Sequence, residues 1–189
     1  MEDLEIYRKY LKENLSSKRY RHSVNVSAAA WDLAEKFGGV DPYKAEFAGL
    51  VHDISKEEPR EVQYDKVLRC KMDVCEEEKQ AFKVWHGIAG AVTLQEEFGV
   101  EDMDVLRAVR YHTIGHKGMS QLEKIVYLAD MISVERNYPD VEVMRRKTWE
   151  GLDVGMLYAL EISMQKLIRK ETLIPYHTLE AYNEYIYKL

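Results

Sequence analysis

The sequence predicts an all-α, single-domain protein, and three observations support this fold class. Apolar residues recur at the helical period in almost every segment, and no segment shows the sustained alternation of a surface strand. Glycine, proline and capping residues separate these segments, as is typical of consecutive helices. The 189 residues suffice for one domain with a sizeable core, and they contain no repeat, low-complexity tract or linker. We therefore expect one helical domain over residues 1–189.

The N-terminal part contains the clearest helix boundaries. Residues 2–14 have one apolar stripe, and residues 17–37 have another that ends at Gly38. Glycine tolerates the left-handed backbone conformation that often follows a helix. Asp41 and Pro42 then begin the next helix, with a capping carboxylate and a proline in the first turn.

The rest of the chain continues as predicted helices. Pro59 opens one of them, residues 80–98 form a long helix, and Ser120 begins a capping box ahead of an apolar helix. Segment 133–140 has the composition of a loop. The other predicted helices span residues 102–112, 141–150, 153–170 and 178–188.

Composition and charge exclude several classes of function. The net charge of −6 would repel nucleic acid, so a phosphorylated ligand needs a local cluster of positive charge. No apolar run approaches the roughly 20 residues of a membrane span, and the charged N-terminus does not resemble a signal peptide. Cys70 and Cys75 match no zinc, redox or disulfide pattern and are expected to be reduced. We expect a cytoplasmic protein with no nucleic acid polymer or membrane as partner.

Six residues that can bind metal are spread over successive predicted helices. They are His22, His52, Asp53, His86, His112 and Asp130. Each alone could be a hydrogen-bonded core residue, but a buried carboxylate is costly unless it is paired or bound to a metal. Imidazole and carboxylate groups that converge in a helical core bind transition-metal ions, which make water nucleophilic at neutral pH. The set together predicts a metal-dependent hydrolase.

The two remaining histidines are predicted to lie outside this set. His116 is four residues after His112, but Gly115 and Gly118 argue against a continuous helix there. We therefore place His116 in a loop or around the metal-binding residues. His177 stands near the start of the last helix and is expected to face solvent or to cap that helix.

The ordered set of six residues resembles the HD-domain metal-dependent phosphohydrolases, and more closely the YqeK family. The matching segments are HDISK (52–56), WHGIAGA (85–91), RYHTIG (110–115), MSQLEKIVYLADMI (119–132) and TLEAYN (178–183). YqeK proteins are bacterial enzymes that hydrolyse diadenosine tetraphosphate symmetrically into two ADP. The resemblance runs from about Arg19 to Asn183. It implies an HD-domain helical bundle with a motif-bearing core at about 17–135 and C-terminal helices at 141–189.

The resemblance also implies two divalent transition-metal ions, with iron expected and manganese as the alternative. It assigns His22, His52 and Asp130 to one ion, His86 and His112 to the other, and Asp53 to both. Histidine and carboxylate ligands suit iron and manganese alike, so the ligand types do not select between them. We also expect that the protein can form a homodimer.

Further residues are candidates for catalysis and for contacts to the nucleotide. Lys56, about one turn after Asp53, is predicted to act with it in catalysis by placing an ammonium on the phosphates; a surface lysine is the alternative. The adenine is expected to meet C-terminal aromatic residues such as Tyr176 or Tyr182. The predicted nucleotide contacts are Arg19, Lys56, His86, His112, Thr113, Arg136 and Tyr176.

One segment departs from the family pattern. The family usually has Glu-Pro-Asn-Arg after the apolar helix that carries Asp130, whereas this chain has Ser133, Val134, Glu135 and Arg136. The arginine keeps its place, but the pattern does not predict the shape of this loop.

Two other classes of function stay open on the sequence. An HD phosphohydrolase that acts on a monophosphate, a deoxynucleotide or a cyclic nucleotide would share the metal core, so only a panel of substrates separates them. A non-catalytic nucleotide or metal sensor would be favoured by a degenerate ligand set, but the set here is complete. The stringent-response nucleotide hydrolases also use HD domains, but they are larger and their flanking motifs are not apparent here.

Overall fold

The computed structural model describes residues 4–188, which form helices and turns and contain no β-strand. This confirms the predicted all-α class. The helices are α1 (Leu4–Asn14), α2 (Ser17–Phe37), α3 (Pro42–Val51), α4 (Arg60–Arg69), α5 (Glu76–Gln80), α6 (Trp85–Glu97), α7 (Met103–Tyr111), α8 (Gln121–Ile132), α9 (Val141–Glu150), α10 (Leu152–Arg169) and α11 (Tyr176–Ile186). Within the described residues, no helix is both long enough and apolar enough to cross a bilayer.

Local sequence signals set several helix ends as predicted. The Asp41 carboxylate accepts a backbone N–H in the first turn of α3, whose first residue is Pro42. Ser120 and Glu123 form a reciprocal capping box at the start of α8. Gly38 follows α2 with a φ of 65°. Two of these helices position candidate site residues, since α3 directly precedes His52 and α8 contains Asp130.

The predicted long helix over residues 80–98 is wrong. This segment contains the end of α5, a 3-10 turn at Phe82–Val84 and α6. Ala81 leaves the helical region, with φ of −103° and ψ of 77°. The Trp85 indole donates to the Glu78 carbonyl oxygen at 2.9 Å, so a side chain occupies an acceptor that a continuous helix would use.

Helix α8 lies at the centre of the hydrophobic core and packs against α2, α3, α7, α9 and α10. Leu122, Ile125 and Leu128 on this helix are completely buried. Each such side chain stabilises the fold by about 1.5–3 kcal/mol relative to an exposed position. The rigid central helix therefore provides a fixed support for Asp130 near its C-terminal end. The domain boundaries that we inferred from the motifs stay a prediction.

Small residues allow the helices that carry the histidines to approach closely. A Cβ at Gly87 would lie 3.0 Å from the Arg110 carbonyl oxygen and 3.4 Å from the His112 ring. A Cβ at Gly49 would lie 3.0 Å from the Ala30 Cβ. Any larger side chain would push α6 from α7, or α3 from α2. The glycines thus bring imidazoles on neighbouring helices within reach of one another.

His116 lies in the loop after α7, as predicted. Its Nε2 is 2.6 Å from the Glu123 carboxylate, and its Nδ1 is 2.6 Å from the Lys117 carbonyl oxygen. The guanidinium of Arg107 also reaches this ring at 3.2 Å. His116 therefore fastens its loop to the start of α8.

The prediction that His177 faces solvent or caps its helix is wrong. The ring is 6% exposed, with Nδ1 2.9 Å from the Glu78 carboxylate and Nε2 3.1 Å from Asp73. Glu78 also pairs with the fully buried guanidinium of Arg110 at 2.7 Å. This cluster ties α11 to α5 and α7. Its members lie up to 104 residues apart, so no local pattern reveals it.

We expect His177→Ala to lower the free energy of unfolding by about 1–3 kcal/mol, because a buried carboxylate loses a partner. Hydrogen bonding to Glu78 raises the pKa of His177 above its ordinary value of 6.5, although burial opposes the shift. A raised folded pKa means that the protonated ring stabilises the fold fully below pH 6.5 and progressively less as pH rises through the folded pKa. We therefore expect urea unfolding at about pH 6 and pH 9 to show a smaller difference in the free energy of unfolding between wild type and His177→Ala at the higher pH. A difference that does not change with pH would contradict this account.

Candidate metal centre

The six predicted metal-binding residues lie together in the structure. His52 and Asp53 directly follow α3, and His112 directly follows α7. Five of the six are at most 5% exposed: His22, His52, Asp53, His86 and His112. The Asp130 side chain is 19% exposed and lies at the border of the cluster.

The Asp53 carboxylate lies at the centre of this cluster. Its Oδ1 is 3.3 Å from His86 Nε2 and 3.6 Å from His112 Nε2. Its Oδ2 is 3.5 Å from His52 Nε2 and 3.8 Å from His22 Nε2. The two oxygens therefore face different pairs of histidines, which is the arrangement that a carboxylate shared by two ions needs.

Asp130 lies on the side of the cluster that contains His22 and His52. Its Oδ1 is 2.9 Å from His22 Nε2 and 3.9 Å from His52 Nε2. These three residues form a group whose ligand atoms all lie within 4.8 Å of one another. His52, Asp53 and His112 form a second such group. His52 thus stands between two potential ion positions.

Unpaired buried atoms support the assignment of a metal. His52 Nε2 and Asp53 Oδ1 are buried and have no hydrogen-bond partner among the described residues. A buried polar atom without a partner costs about 1–3 kcal/mol, which a bound cation would offset. The Nδ1 atoms of His52 and His112 donate to the carbonyl oxygens of Gly49 and Val109 at 2.7 Å. Their Nε2 atoms therefore carry the lone pairs, and the residues fit a transition-metal ion.

The charges around the two aspartates keep both ionised. Burial would raise the pKa of Asp53, but its interactions with His52, His112 and Lys56 hold it well below its usual range. Burial would also raise the pKa of Asp130, yet the hydrogen bond from His22 and the charge of Arg136 hold it far below its usual range. Ionised carboxylates are the form that binds a metal.

Lys56 reaches the side of the cluster that contains His86. Its Nζ is 2.9 Å from His86 Nε2 and 3.6 Å from Asp53 Oδ1. Burial lowers the pKa of Lys56, Asp53 opposes this shift, and Arg19 adds to it. Burial and the neighbouring Lys56 in turn hold the pKa of His86 well below its usual range, so its ring is neutral at neutral pH. A neutral imidazole is the ligand form.

Two arginines border the opposite side. Arg19 Nη1 donates to Asp53 Oδ2 at 2.7 Å. Arg136 donates to the Asp130 carboxylate, and its Nε donates to the Asp130 carbonyl oxygen at 2.7 Å. Both arginines line a cavity of about 340 Å³ that adjoins His22. Its other lining residues are Ser16, Lys18, Glu57, Glu135, Asn137 and Tyr138.

All seven predicted nucleotide contacts stay predictions, among them Thr113 and Tyr176. Thr113 follows His112, and its hydroxyl is buried without a hydrogen-bond partner in the described part of the chain. Tyr176 begins α11 and is 56% exposed, and it does not belong to the lining of the 340 Å³ cavity. Tyr182, the other aromatic candidate, is partly buried against the core.

The sequence did not identify Glu135 and Tyr138 as site residues. A Glu135 oxygen contacts His22 Nδ1, and the other accepts from Asn25 Nδ2 at 2.7 Å. Tyr138 lines the cavity, and its hydroxyl donates to the Met131 carbonyl oxygen at 3.0 Å. The only signal for Glu135 was its place in the loop that departs from the family pattern.

Comparisons with known proteins agree with this geometry. The profile of the HD domain family matches residues 19–135. The chain is 36% identical over 173 residues to the symmetrical bis(5'-nucleosyl)-tetraphosphatase of Bacillus subtilis (strain 168), covering 92% of each protein. It is 31% identical to the Staphylococcus aureus (strain NCTC 8325 / PS 47) protein of the same name, covering 98% of this chain and 95% of that protein. A crystal structure from Clostridium acetobutylicum, described as a predicted HD superfamily hydrolase involved in NAD metabolism, has a TM-score of 0.94 and 33% identity over the whole of both chains.

Proposed function

Because this chain belongs to the HD domain family, we propose that it is a symmetrical bis(5'-nucleosyl)-tetraphosphatase that hydrolyses diadenosine tetraphosphate to two ADP. The observation that carries this proposal is the central Asp53, whose two oxygens face two pairs of histidines. The relatives that bear this enzyme name match almost the full length of the chain. The substrate is accordingly a nucleotide, and the reaction depends on metal.

Two divalent ions fit the arrangement of ligands, with iron as the first metal to test and manganese as the alternative. The side chains of His22, His52 and Asp130 would hold one ion, those of His86 and His112 the other, and Asp53 both. When bound, such ions lower the pKa of a water molecule to about 7 and polarise phosphate oxygens. His52 belongs to both groups of closely spaced ligand atoms, so its assignment to one ion rests on the family resemblance.

The reaction separates the two central phosphates of the substrate. An oxygen from water bonds to one central phosphorus, the bridging P–O bond breaks, and the bridging oxygen leaves with the second ADP. A proton from the water is released. Because the leaving group is a phosphate anion, neutralising its charge matters more than strong acid catalysis.

Three cationic side chains are placed to neutralise that charge. Lys56 lies on one side of the Asp53 carboxylate, and Arg19 and Arg136 lie on the other. Their side chains are 29%, 29% and 34% exposed, so each can reach a ligand from a partly buried position. We assign these cations to the phosphates on either side of the bond that breaks.

The cavity beside the arginines offers a place for one nucleoside. Its volume of about 340 Å³ lies within the range of small-molecule sites. Tyr138 can contact a base with its ring, and the Asn137 amide can both donate and accept hydrogen bonds. We retain the proposed nucleotide contacts of His86, His112, Thr113 and Tyr176.

The proposals that the protein acts in the cytoplasm and forms a homodimer rest on the sequence alone. Analytical sedimentation of the purified protein tests the second of them. A single species with the mass of one chain would exclude the dimer under the conditions used.

Product analysis tests the proposed reaction directly. We expect ADP as the only nucleotide product from diadenosine tetraphosphate and Fe(II) or Mn(II), because the proposed mode of binding puts the ions and the cationic side chains at the middle of the substrate. In oxygen-labelled water, one of the two ADP molecules should carry the label. Protein treated with a chelator is the control and should be inactive.

Each other result points to a different function. Equal amounts of AMP and ATP would disprove symmetrical cleavage and leave the metal site in place. Activity only on a monophosphate, deoxynucleotide or cyclic nucleotide would support the alternative HD phosphohydrolase. Binding of nucleotide and metal without any turnover would support a sensor.

A further inference from the structure

The loop that departs from the family pattern contacts one of the metal-binding histidines. A Glu135 oxygen lies within hydrogen-bonding distance of His22 Nδ1 and also accepts from the Ser133 hydroxyl at 2.9 Å. The second oxygen accepts from Asn25 Nδ2 at 2.7 Å. The carboxylate is thus held by α2 and by its own loop at once.

This contact determines which nitrogen of His22 faces the metal cluster. A carboxylate only accepts hydrogen bonds, so Nδ1 of His22 carries the hydrogen. Nε2 is then the ring atom turned toward the cluster. It lies 2.9 Å from Asp130 Oδ1, and its hydrogen is the one that a bound metal ion would replace. His22 is 5% exposed, so solvent has little access to replace Glu135 as the partner of Nδ1.

The partner of His22 Nδ1 differs from the Nδ1 partners of His52 and His112. His52 and His112 each donate from Nδ1 to a backbone carbonyl three residues earlier, at Gly49 and Val109. Those acceptors belong to the same local segment as the histidine. The partner of His22 lies 113 residues away and carries a full negative charge. An outer carboxylate fixes the tautomer and raises the basicity of the ligating nitrogen.

Neighbouring residues of one loop therefore contact two ligands on the same side of the cluster. Glu135 contacts His22, and Arg136 contacts the Asp130 carboxylate. Both side chains also line the 340 Å³ cavity. This loop can therefore both orient metal-binding side chains and border the proposed nucleotide site.

We propose that Glu135 is a positioning residue that orients His22 for metal binding, and that Ser133 and Asn25 hold Glu135 in place. This inference rests on the proposed metal site and deepens it. It assigns a role to the segment in which this chain differs from the usual family loop. Glu135 acts through His22 and touches no reacting atom.

Cobalt(II) binding tests this proposal without using activity. We expect Glu135→Ala to weaken Co(II) binding about 10- to 100-fold and to change the visible absorption of the bound ion. Glu135→Gln should show a smaller effect, because its amide oxygen can still accept from His22 Nδ1. Glu142→Gln is the matched control, since Glu142 is an 80% exposed acid at the start of α9, and it should bind Co(II) like the wild type.

Thermal unfolding of the metal-free variants separates positioning from a purely structural role. We expect Glu135→Gln to unfold at nearly the wild-type temperature without metal and to lose part of the stabilisation that Co(II) adds. Unchanged Co(II) affinity and absorption in both Glu135 variants would overturn the proposal, whatever their stability. Wild-type protein that binds Co(II) but does not cleave diadenosine tetraphosphate would overturn the proposed function alone. Failure of the wild type to bind Co(II) would overturn the metal site and this inference together.

Discussion

Asp53→Ala should remove most of the bound metal and reduce the hydrolysis of diadenosine tetraphosphate to background. The two oxygens of Asp53 face two pairs of histidines, so this one substitution removes a ligand from both proposed ions. Wild-type protein prepared without chelator should contain about one to two transition-metal ions per chain. Elemental analysis of both proteins, together with product chromatography, measures the effect.

Two variants control for indirect effects of this substitution. Asp53→Asn keeps the size of the side chain and removes its charge, and it should also lose most of the metal. Asp65→Ala removes a 66% exposed carboxylate that pairs with Arg69 on α4, and it should keep wild-type metal content. Circular dichroism checks that each variant stays helical. Full retention of metal by Asp53→Ala would exclude the assignment of Asp53 to both ions.

Lys56→Ala should reduce turnover by about 100- to 1,000-fold and leave metal content close to that of the wild type. The Lys56 ammonium lies beside His86 and Asp53, where the phosphates of the substrate are expected. A cation that meets the developing charge of a transferred phosphate contributes far more in the transition state than in the resting protein. Because like charges repel, removing the ammonium should not weaken the binding of a metal cation.

Lys44→Ala is the matched control for this prediction. Its side chain is 30% exposed, close to the 29% of Lys56, and it pairs with Asp102 and Asp104 near the opposite end of α3. This variant should keep wild-type turnover. Steady-state kinetics, metal analysis and thermal unfolding on both variants separate catalysis from folding. Unchanged turnover in Lys56→Ala would exclude a role for Lys56 in neutralising the charge of the phosphates.

Local chemistry allowed much of the fold to be predicted from the sequence. The capping residues Asp41 and Ser120 and the terminating Gly38 act within a few residues of their own position, and the structure places helix ends there. The six candidate metal-binding residues could also be identified from the sequence, because a family motif records their order along the chain. No packing information is needed to read either kind of signal.

Prediction failed where a side-chain contact that the apolar pattern does not record decides the outcome. The break after Gln80 depends on the bond from Trp85 to the Glu78 carbonyl oxygen, which a periodic apolar pattern does not encode. His177 is buried because it pairs with Glu78, which lies 99 residues earlier in the chain. Residue type alone does not reveal these contacts, because a tryptophan can lie inside a continuous helix and a histidine can be exposed.

The sequence by itself determined that this protein is helical and which residues are able to bind metal. The tertiary structure alone decided that Asp53 stands between two pairs of histidines, that Lys56 and the two arginines lie on opposite sides of it, and that Glu135 contacts His22. The physical reason is that helix formation depends on neighbours along the chain. A distance of about 3 Å between side chains on different helices depends instead on how closely those helices pack, which small residues such as Gly49 and Gly87 permit only in the folded protein.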